Sequence, residues 1–357
     1  LTLFVNRGVI TVINFVVGIY VMRYLGAKSL GDYSVVFAFL AFFSVFTAGS
    51  GIDNILVREY SKGGEEAELR RKVASAIFFR LLLGGVGFLI AIVSSRFLYA
   101  GTPVALYVLF SSFSVLFSFH ENNSPFIVRY NTELDLFFPQ FLMTLVSLAS
   151  ALLKLLFVFG IRANILAFIL LDAAIPVIIS IAFWGLYRKN TSQLNFAEYV
   201  SWAEIRCLVR ESAPLFLSTL CVTVYMRIDQ IMISKWMGSE SLGNYSVAVK
   251  ISETFNFVPI YLAVSLFPVF TKTLRDTNRE DVYGIAFRFL NMFVFPLILF
   301  CTLFSREITE LLFPGQFTDA SSALQVLIWS EFFIFAGCIY STILLANGLQ
   351  KYSLFLL

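Results

Sequence analysis

Eleven charged side chains sit inside stretches otherwise built of apolar residues: the basic Arg7, Arg80, Lys154, Arg227, Lys250 and Arg288, and the acidic Asp53, Asp172, Asp229, Glu253 and Glu331. A charge in such surroundings is expensive, so each is a candidate for binding an ion of opposite sign or for pairing with a neighbour. The densest set is YMRIDQIM over 225–232, followed by YSVAVKISE over 245–253. Arg227 and Asp229 are two residues apart, so on a helix they point to different faces; Lys250 and Glu253, three apart, share one. Counted from the turn between 236 and 243, Asp229 falls level with Lys250 and Arg227 with Glu253. Two readings stay open. The four charges neutralise one another and lock two helices together, or the basic members hold an anion while Asp229 or Glu253 responds to a proton or sodium ion.

Other chemistry is thin. The chain has one histidine, His120, which excludes a multi-histidine metal site or a histidine relay. Its cysteines, Cys207, Cys221, Cys301 and Cys338, show no CxxC spacing and fall mostly in apolar runs, where free cysteine acts as a small apolar residue. No GxxxxGK followed by Ser or Thr occurs, so uphill movement of a cargo draws on an ion gradient, the cargo's own gradient or another protein. No cluster of His, Ser, Asp or Glu has catalytic spacing. Neither an enzyme nor a cofactor is expected.

The elements that carry these charges are set by composition. Of 357 residues, 59% are hydrophobic, 17% aromatic and only 14% charged. Soluble domains run at about 45–50% apolar and about 25% charged. With 41 Phe and a mean hydropathy of +0.83, the chain reads as an all-α polytopic membrane protein. That excludes a disordered chain, a soluble enzyme and a nucleic-acid binder, and a net charge of +3 is too small to point to a partner.

A helix crossing about 30 Å of hydrocarbon takes about 20 mostly apolar residues. Ten such segments are predicted, over 3–24, 33–57, 73–95, 103–119, 136–160, 163–187, 213–236, 243–270, 283–304 and 322–346, with an eleventh opening near 353. Basic residues crowd the loops after even-numbered spans: Arg58, Lys62, Arg70, Arg71 and Lys72 after the second, and Arg188, Lys189, Arg206 and Arg210 after the sixth. The positive-inside rule puts those loops, and the N-terminus, in the cytoplasm. The chain opens at Leu1 and closes at Leu357 inside apolar runs, so a fragment of a longer protein is expected. Pro176, Pro259, Pro268 and Pro296, with Gly84, Gly85 and Gly87, are candidate hinges.

Residues 23–35 read RYLGAKSLGDYSV and residues 235–247 read KWMGSESLGNYSV. Both fall in the short turn after an odd-numbered span, where Gly26 and Gly238 permit positive φ and a tight reversal. An offset of six spans keeps the orientation, so the repeats are parallel. The domains expected are a first six-helix bundle over 1–187, a cytoplasmic linker over 188–212, and a second bundle over 213–357 holding spans seven to ten and the start of an eleventh.

With the first turn RYLGAKSLGDYSV, the SAPLFLSTL opening of span seven, the YMRIDQIM and LGNYSVAVKISE pair, and the ITELLFPGQFTDASSALQVL stretch before span ten, the chain resembles a known group. It is similar, over nearly its whole length, to the polysaccharide and O-antigen flippases of the multidrug/oligosaccharidyl-lipid/polysaccharide exporter (MOP) superfamily. The resemblance implies two parallel-repeat six-helix bundles around a central cavity, the second truncated here, in the cytoplasmic membrane of a prokaryote. It implies transfer of a polyprenyl-diphosphate-linked oligosaccharide from the cytoplasmic to the outer leaflet for surface polysaccharide assembly. Expected partners are that lipid-linked oligosaccharide, the bilayer and a glycan polymerase or ligase complex, with no nucleic acid.

For such a cargo, Arg7, Arg80, Arg227, Lys250 and Arg288 are the expected substrate-binding residues and Asp229 and Glu253 the expected ion-coupling ones. A guanidinium suits phosphate because its planar fork donates two bonds at once. The alternatives are that Arg7 snorkels to the headgroups and that Arg80 and Arg288 are structural. A cation-coupled multidrug exporter of the same superfamily is the second reading, and a scaffold for glycan assembly the third.

Overall fold

The computed structural model describes residues 2–48, 51–61, 66–118, 126, 137–190, 199–256, 258–259, 270 and 279–346. Among them there is helix and turn and no strand. Lipid offers the backbone no hydrogen bonds, so a spanning chain must satisfy its own within each segment, and the helix does that. By internal contacts the chain divides into two units: Leu1–Val21 with Asp32–Met232, and Met22–Gly31 with Ile233–Leu357.

The first helix, α1 (Thr2–Ala48), holds the expected spans one and two and breaks at Gly26, with φ 70° and ψ 173°. The first unit continues through α2 (Ile52–Ser61), α3 (Glu66–Leu98), α4 (Pro103–Ser111), α5 (Phe113–Leu116), α6 (Phe137–Leu156), α7 (Ile165–Asn190) and most of α8 (Trp202–Trp236). Apolar side chains of α2, α3, α7 and α8, including Ile52, Leu56, Ile77, Phe183 and Leu208, bury one another in a single cluster. α4 and α5 pack on α3 and α7, and α6 packs on α7.

Span four is split at Ser112 into α4 and α5, and two hydroxyls take up carbonyls there. Thr47 Oγ1 donates to the Val115 carbonyl at 2.9 Å and Ser180 Oγ to the Phe117 carbonyl at 2.7 Å. Of the expected hinge glycines, Gly84 and Gly87 lie inside the unbroken α3. A Cβ on Gly84 would meet Thr47 Cγ2 at 2.5 Å, and one on Gly87 would meet the Phe43 carbonyl at 3.0 Å. These glycines let two helices approach closely, which is a packing role. Pro176 is inside α7, and Pro268 lies outside the described residues.

The second unit comprises 22–31, α9 (Gly238–Glu253), a 3₁₀ turn over Thr254–Asn256, α10 (Arg279–Leu303), α11 (Ser305–Leu312), α12 (Ala320–Leu327) and α13 (Ser330–Ala346). α9 packs on α12 and α10 on α13. Between α10 and α11 the chain bends by 72°. Arg23 closes the far end of α11, its Nε donating to the Leu312 carbonyl at 2.5 Å and its Nη2 to the Leu311 carbonyl at 3.1 Å. A cation is favoured there because the last carbonyls of a helix carry partial negative charge. Gly238 repeats the positive φ of Gly26, at 87°.

Two sequence expectations change. Among the described residues six helices are long and apolar enough to cross a membrane, or seven if the bent pair counts as one span. Of the ten spans expected, one and two are two helices separated by the break at Gly26, span four is broken at Ser112, and 260–269 of span eight lie outside the described residues. The eleventh lies outside the described residues. Helix boundaries also shift, because polar residues hide helix from a hydropathy reading. α8 opens at Trp202, inside the expected linker, and α9 opens at Gly238, ahead of its apolar run.

Candidate functional site

Arg80, expected as a substrate ligand, is 1% exposed on α3. Its Nη2 donates to Asp53 Oδ2 of α2, and Asp53 is itself buried. Cluster members Ile52 and Ile77 flank the pair in sequence. A guanidinium in such surroundings requires a carboxylate, since either charge alone would lack compensation. This placement fits the structural alternative for Arg80.

A second ion pair lies in the first unit. Lys154 Nζ of α6 meets Asp172 Oδ1 of α7 at 2.6 Å, and the Tyr33 hydroxyl of α1 donates to the other Asp172 oxygen. The carboxylate on α7 is thus held by a cation from α6 and a phenol from α1. The sequence gave no reason to bring Tyr33 to this pair, beyond its place in the repeated YSV.

Arg227 and Asp229 lie on α8, both half-buried, and Asp229 Oδ1 accepts the Gln230 backbone N–H at 2.8 Å. Lys250 is half-buried and Glu253 exposed on α9. Lys250 is twelve residues past Gly238, about 18 Å along α9. Arg227 and Asp229 belong to the first unit, Lys250 and Glu253 to the second. Arg288 is exposed on α10. Arg7 is in α1, but its side chain lies outside the described residues.

Near the end of α2 and the start of α3, charges form a network with Glu211 of α8. Arg58 Nη2 meets Glu211 Oε2 at 2.6 Å and Glu59 Oε1 at 3.3 Å, and Lys72 Nζ meets Glu59 at 3.0 Å and Glu68 at 2.8 Å. The hydrogen bond that Arg58 donates to Glu211 holds its guanidinium more firmly charged than usual. No group of three or more His, Cys, Asp or Glu among the described residues has metal-binding geometry.

Of the expected substrate-binding residues, Arg227 and Lys250 are half-buried and Arg288 is exposed, while Arg80 is enclosed with its carboxylate. Residues 2–274 match the family described as polysaccharide biosynthesis protein. The chain belongs to that family. Residues 214–357 of this family member also match the MatE family. A search of curated proteins finds no match.

Solved structures share its fold. A multidrug resistance MATE family transporter of the MOP superfamily, in an inward-facing conformation, is 18% identical with a TM-score of 0.69, over 97% of this chain and 83% of that one. The lipid II flippase MurJ, inward closed, is 15% identical with a TM-score of 0.76, over 99% and 78%. A MOP superfamily transporter from Pyrococcus furiosus is 16% identical with a TM-score of 0.61, over 99% and 84%. The polysaccharide biosynthesis family member is therefore an all-helical membrane protein with the fold of the MOP transporters.

Proposed function

We propose that this protein carries a polyprenyl-diphosphate-linked oligosaccharide from the cytoplasmic to the outer leaflet of a prokaryotic cell membrane, for surface polysaccharide assembly. The observation that carries the reading is the polysaccharide biosynthesis match over residues 2–274, on a fold shared with a lipid II flippase. The two repeats form parallel bundles with the N-terminus and the basic loop 58–72 in the cytoplasm, following the positive-inside asymmetry. Arg227 takes the diphosphate, because a planar fork matches two phosphate oxygens and Arg227 is only half-buried. Lys250 and Arg288 add positive charge along the route, and Arg7 receives the headgroup on entry. Asp229 and Glu253 respond to a coupling cation. A glycan polymerase or ligase complex takes the delivered lipid.

The MatE match over 214–357 favours a second reading, a cation-coupled multidrug exporter whose cargo sits on the acidic residues. Proteoliposomes of the full-length protein separate the two. Movement of a fluorescent polyprenyl-diphosphate oligosaccharide supports the first; movement of a cationic dye with the lipid left in place supports the second.

A further inference from the structure

α8 is longer than a membrane crossing requires. Its 35 residues measure about 52 Å, where about 20 residues cross the hydrocarbon. The surplus is the polar start, WAEIRCLVRES over 202–212. That start is held at the edge of the hydrocarbon. The Trp202 indole meets the Phe78 ring of α3 edge-on, centroids 6.3 Å apart, and the Ser201 N–H donates to Ser75 Oγ of α3 at 3.0 Å. Phe78 is twenty residues from the far end of α3 at Leu98, about 30 Å or one hydrocarbon thickness. With Trp202 fixed at that level, the surplus turns run along the membrane edge. Pro214, a residue type that bends helices, follows them.

One face of these turns is spent on packing. Ile205, Leu208 and Ser212 are buried, Leu208 in the cluster with Ile52, Leu56 and Ile77. The other face is open. Trp202, Arg206, Val209 and Arg210 fall at i, i+4, i+7 and i+8, one stripe of a helix, and all are exposed, Trp202 at 71%.

Phe78 carries the stripe on along α3. Leu82, Val86 and Leu89 follow it at helical spacing, and all are exposed apolar side chains, as a lipid-facing side requires. Arg71 leaves α3 on the same side seven residues earlier, about 10 Å further out, and is exposed. The acidic neighbours are directed elsewhere. Glu204 and Glu211 leave α8 on the opposite side, Glu211 toward Arg58, and Glu68 is held by Lys72. Among the described residues, Arg71, Arg206 and Arg210 take part in no ion pair.

We propose that Arg71, Trp202, Arg206 and Arg210 form a docking surface for anionic phospholipids of the surrounding bilayer. Three layers match such a lipid in order. The guanidiniums take the phosphate, the indole sits at the level of the glycerol, and the α3 stripe from Phe78 seats an acyl chain. By the positive-inside rule this is the cytoplasmic leaflet, whose anionic lipids attract basic segments beside a membrane helix. The surface is independent of which cargo the protein moves.

The test uses full-length protein in vesicles free of lipid-linked oligosaccharide. The vesicles mix phosphatidylglycerol and phosphatidylcholine, with bromine on the chains of one lipid or the other, and bromine quenches an indole only on contact. Subtracting Trp202→Phe from wild type isolates Trp202 from Trp184, Trp236 and Trp329. Brominated phosphatidylglycerol should quench the Trp202 component in preference to brominated phosphatidylcholine. Arg206→Gln and Arg210→Gln should each lower that preference about fivefold, the effect of one basic residue near a membrane surface. Spin-labelled phosphatidylglycerol on the same arginine variants repeats the comparison without changing Trp202, should Trp202→Phe not fold. No quenching of the Trp202 component by either lipid, equal quenching by both, or an undiminished preference in both arginine variants overturns the surface. A clear preference beside an oligosaccharide lipid that stays in place would instead sink the flippase reading and leave the surface standing.

Discussion

Gly31 and Gly243 occupy reciprocal places in one contact. A Cβ on Gly31 would come within 1.7 Å of the Ser239 carbonyl oxygen, and one on Gly243 within 1.9 Å of the Ala27 carbonyl oxygen. Gly31 and Gly243 are the same residue of the repeat, and so are Ala27 and Ser239, each separated by 212 positions. The two copies of the motif pack on each other as an isologous interface does, residue i on j and j on i. Backbones come this close only where a side chain is missing.

Gly31→Ala and Gly243→Ala should each force that seam apart, because the obstacle is backbone and has no rotamer to yield. The expected loss is about 1–3 kcal/mol for either substitution. The double substitution should lose less than the sum, since the first already parts the surfaces. Thermal unfolding in detergent reads this out, and an unchanged melting temperature in both single variants would contradict the contact.

Arg80→Met alone should remove the buried guanidinium that donates to Asp53 and cost about 3–5 kcal/mol. Pairing it with Asp53→Leu should recover most of that loss. The check is a double-mutant cycle on thermal stability; additive losses would mean the two charges act separately.

The Tyr33, Lys154 and Asp172 triad gives a graded expectation. Tyr33→Phe removes one hydrogen bond to a carboxylate, at about 1.5–3 kcal/mol, and Lys154→Met removes the cation, at a larger cost. Lys154→Met combined with Asp172→Asn should be more stable than Lys154→Met alone. Equal stability of the single and double variants would argue against the ion pair.

Much of this was legible in the sequence. The repeat placed Gly26 and Gly238 at a reversal, and both adopt positive φ. Composition fixed the solvent, and with it an all-helical chain. Partner choice was less legible. Asp53 and Arg80 are 27 residues apart, and only the packing of α2 on α3 shows that they meet. The start of α9 was placed too late because Gly238, Ser239, Glu240 and Ser241 are polar or small, yet helical. Glu331 looked like any other charge in a span; its burial and the hydrogen bond it accepts from Ser252 show only in the fold.

Arg58 supplies a contrast. It is 53% exposed at its side chain despite its 2.6 Å contact with Glu211. Exposed pairs contribute about 0–1 kcal/mol and weaken in salt. Arg58→Ala should therefore lower stability by far less than Arg80→Met, by a margin that shrinks further at high ionic strength. A loss matching that of Arg80→Met would show that the α2–α8 contact carries more than surface electrostatics.

The central claim is that the protein delivers a lipid-linked oligosaccharide through a guanidinium contact at Arg227. The direct measurement is outer-leaflet accessibility of a fluorescent polyprenyl-diphosphate oligosaccharide in proteoliposomes of the full-length protein. Wild type should raise the outer-leaflet label, and Arg227→Ala should abolish the gain while expressing and folding normally. A label that stays in place with wild-type protein, while a cationic dye crosses, would contradict the claim.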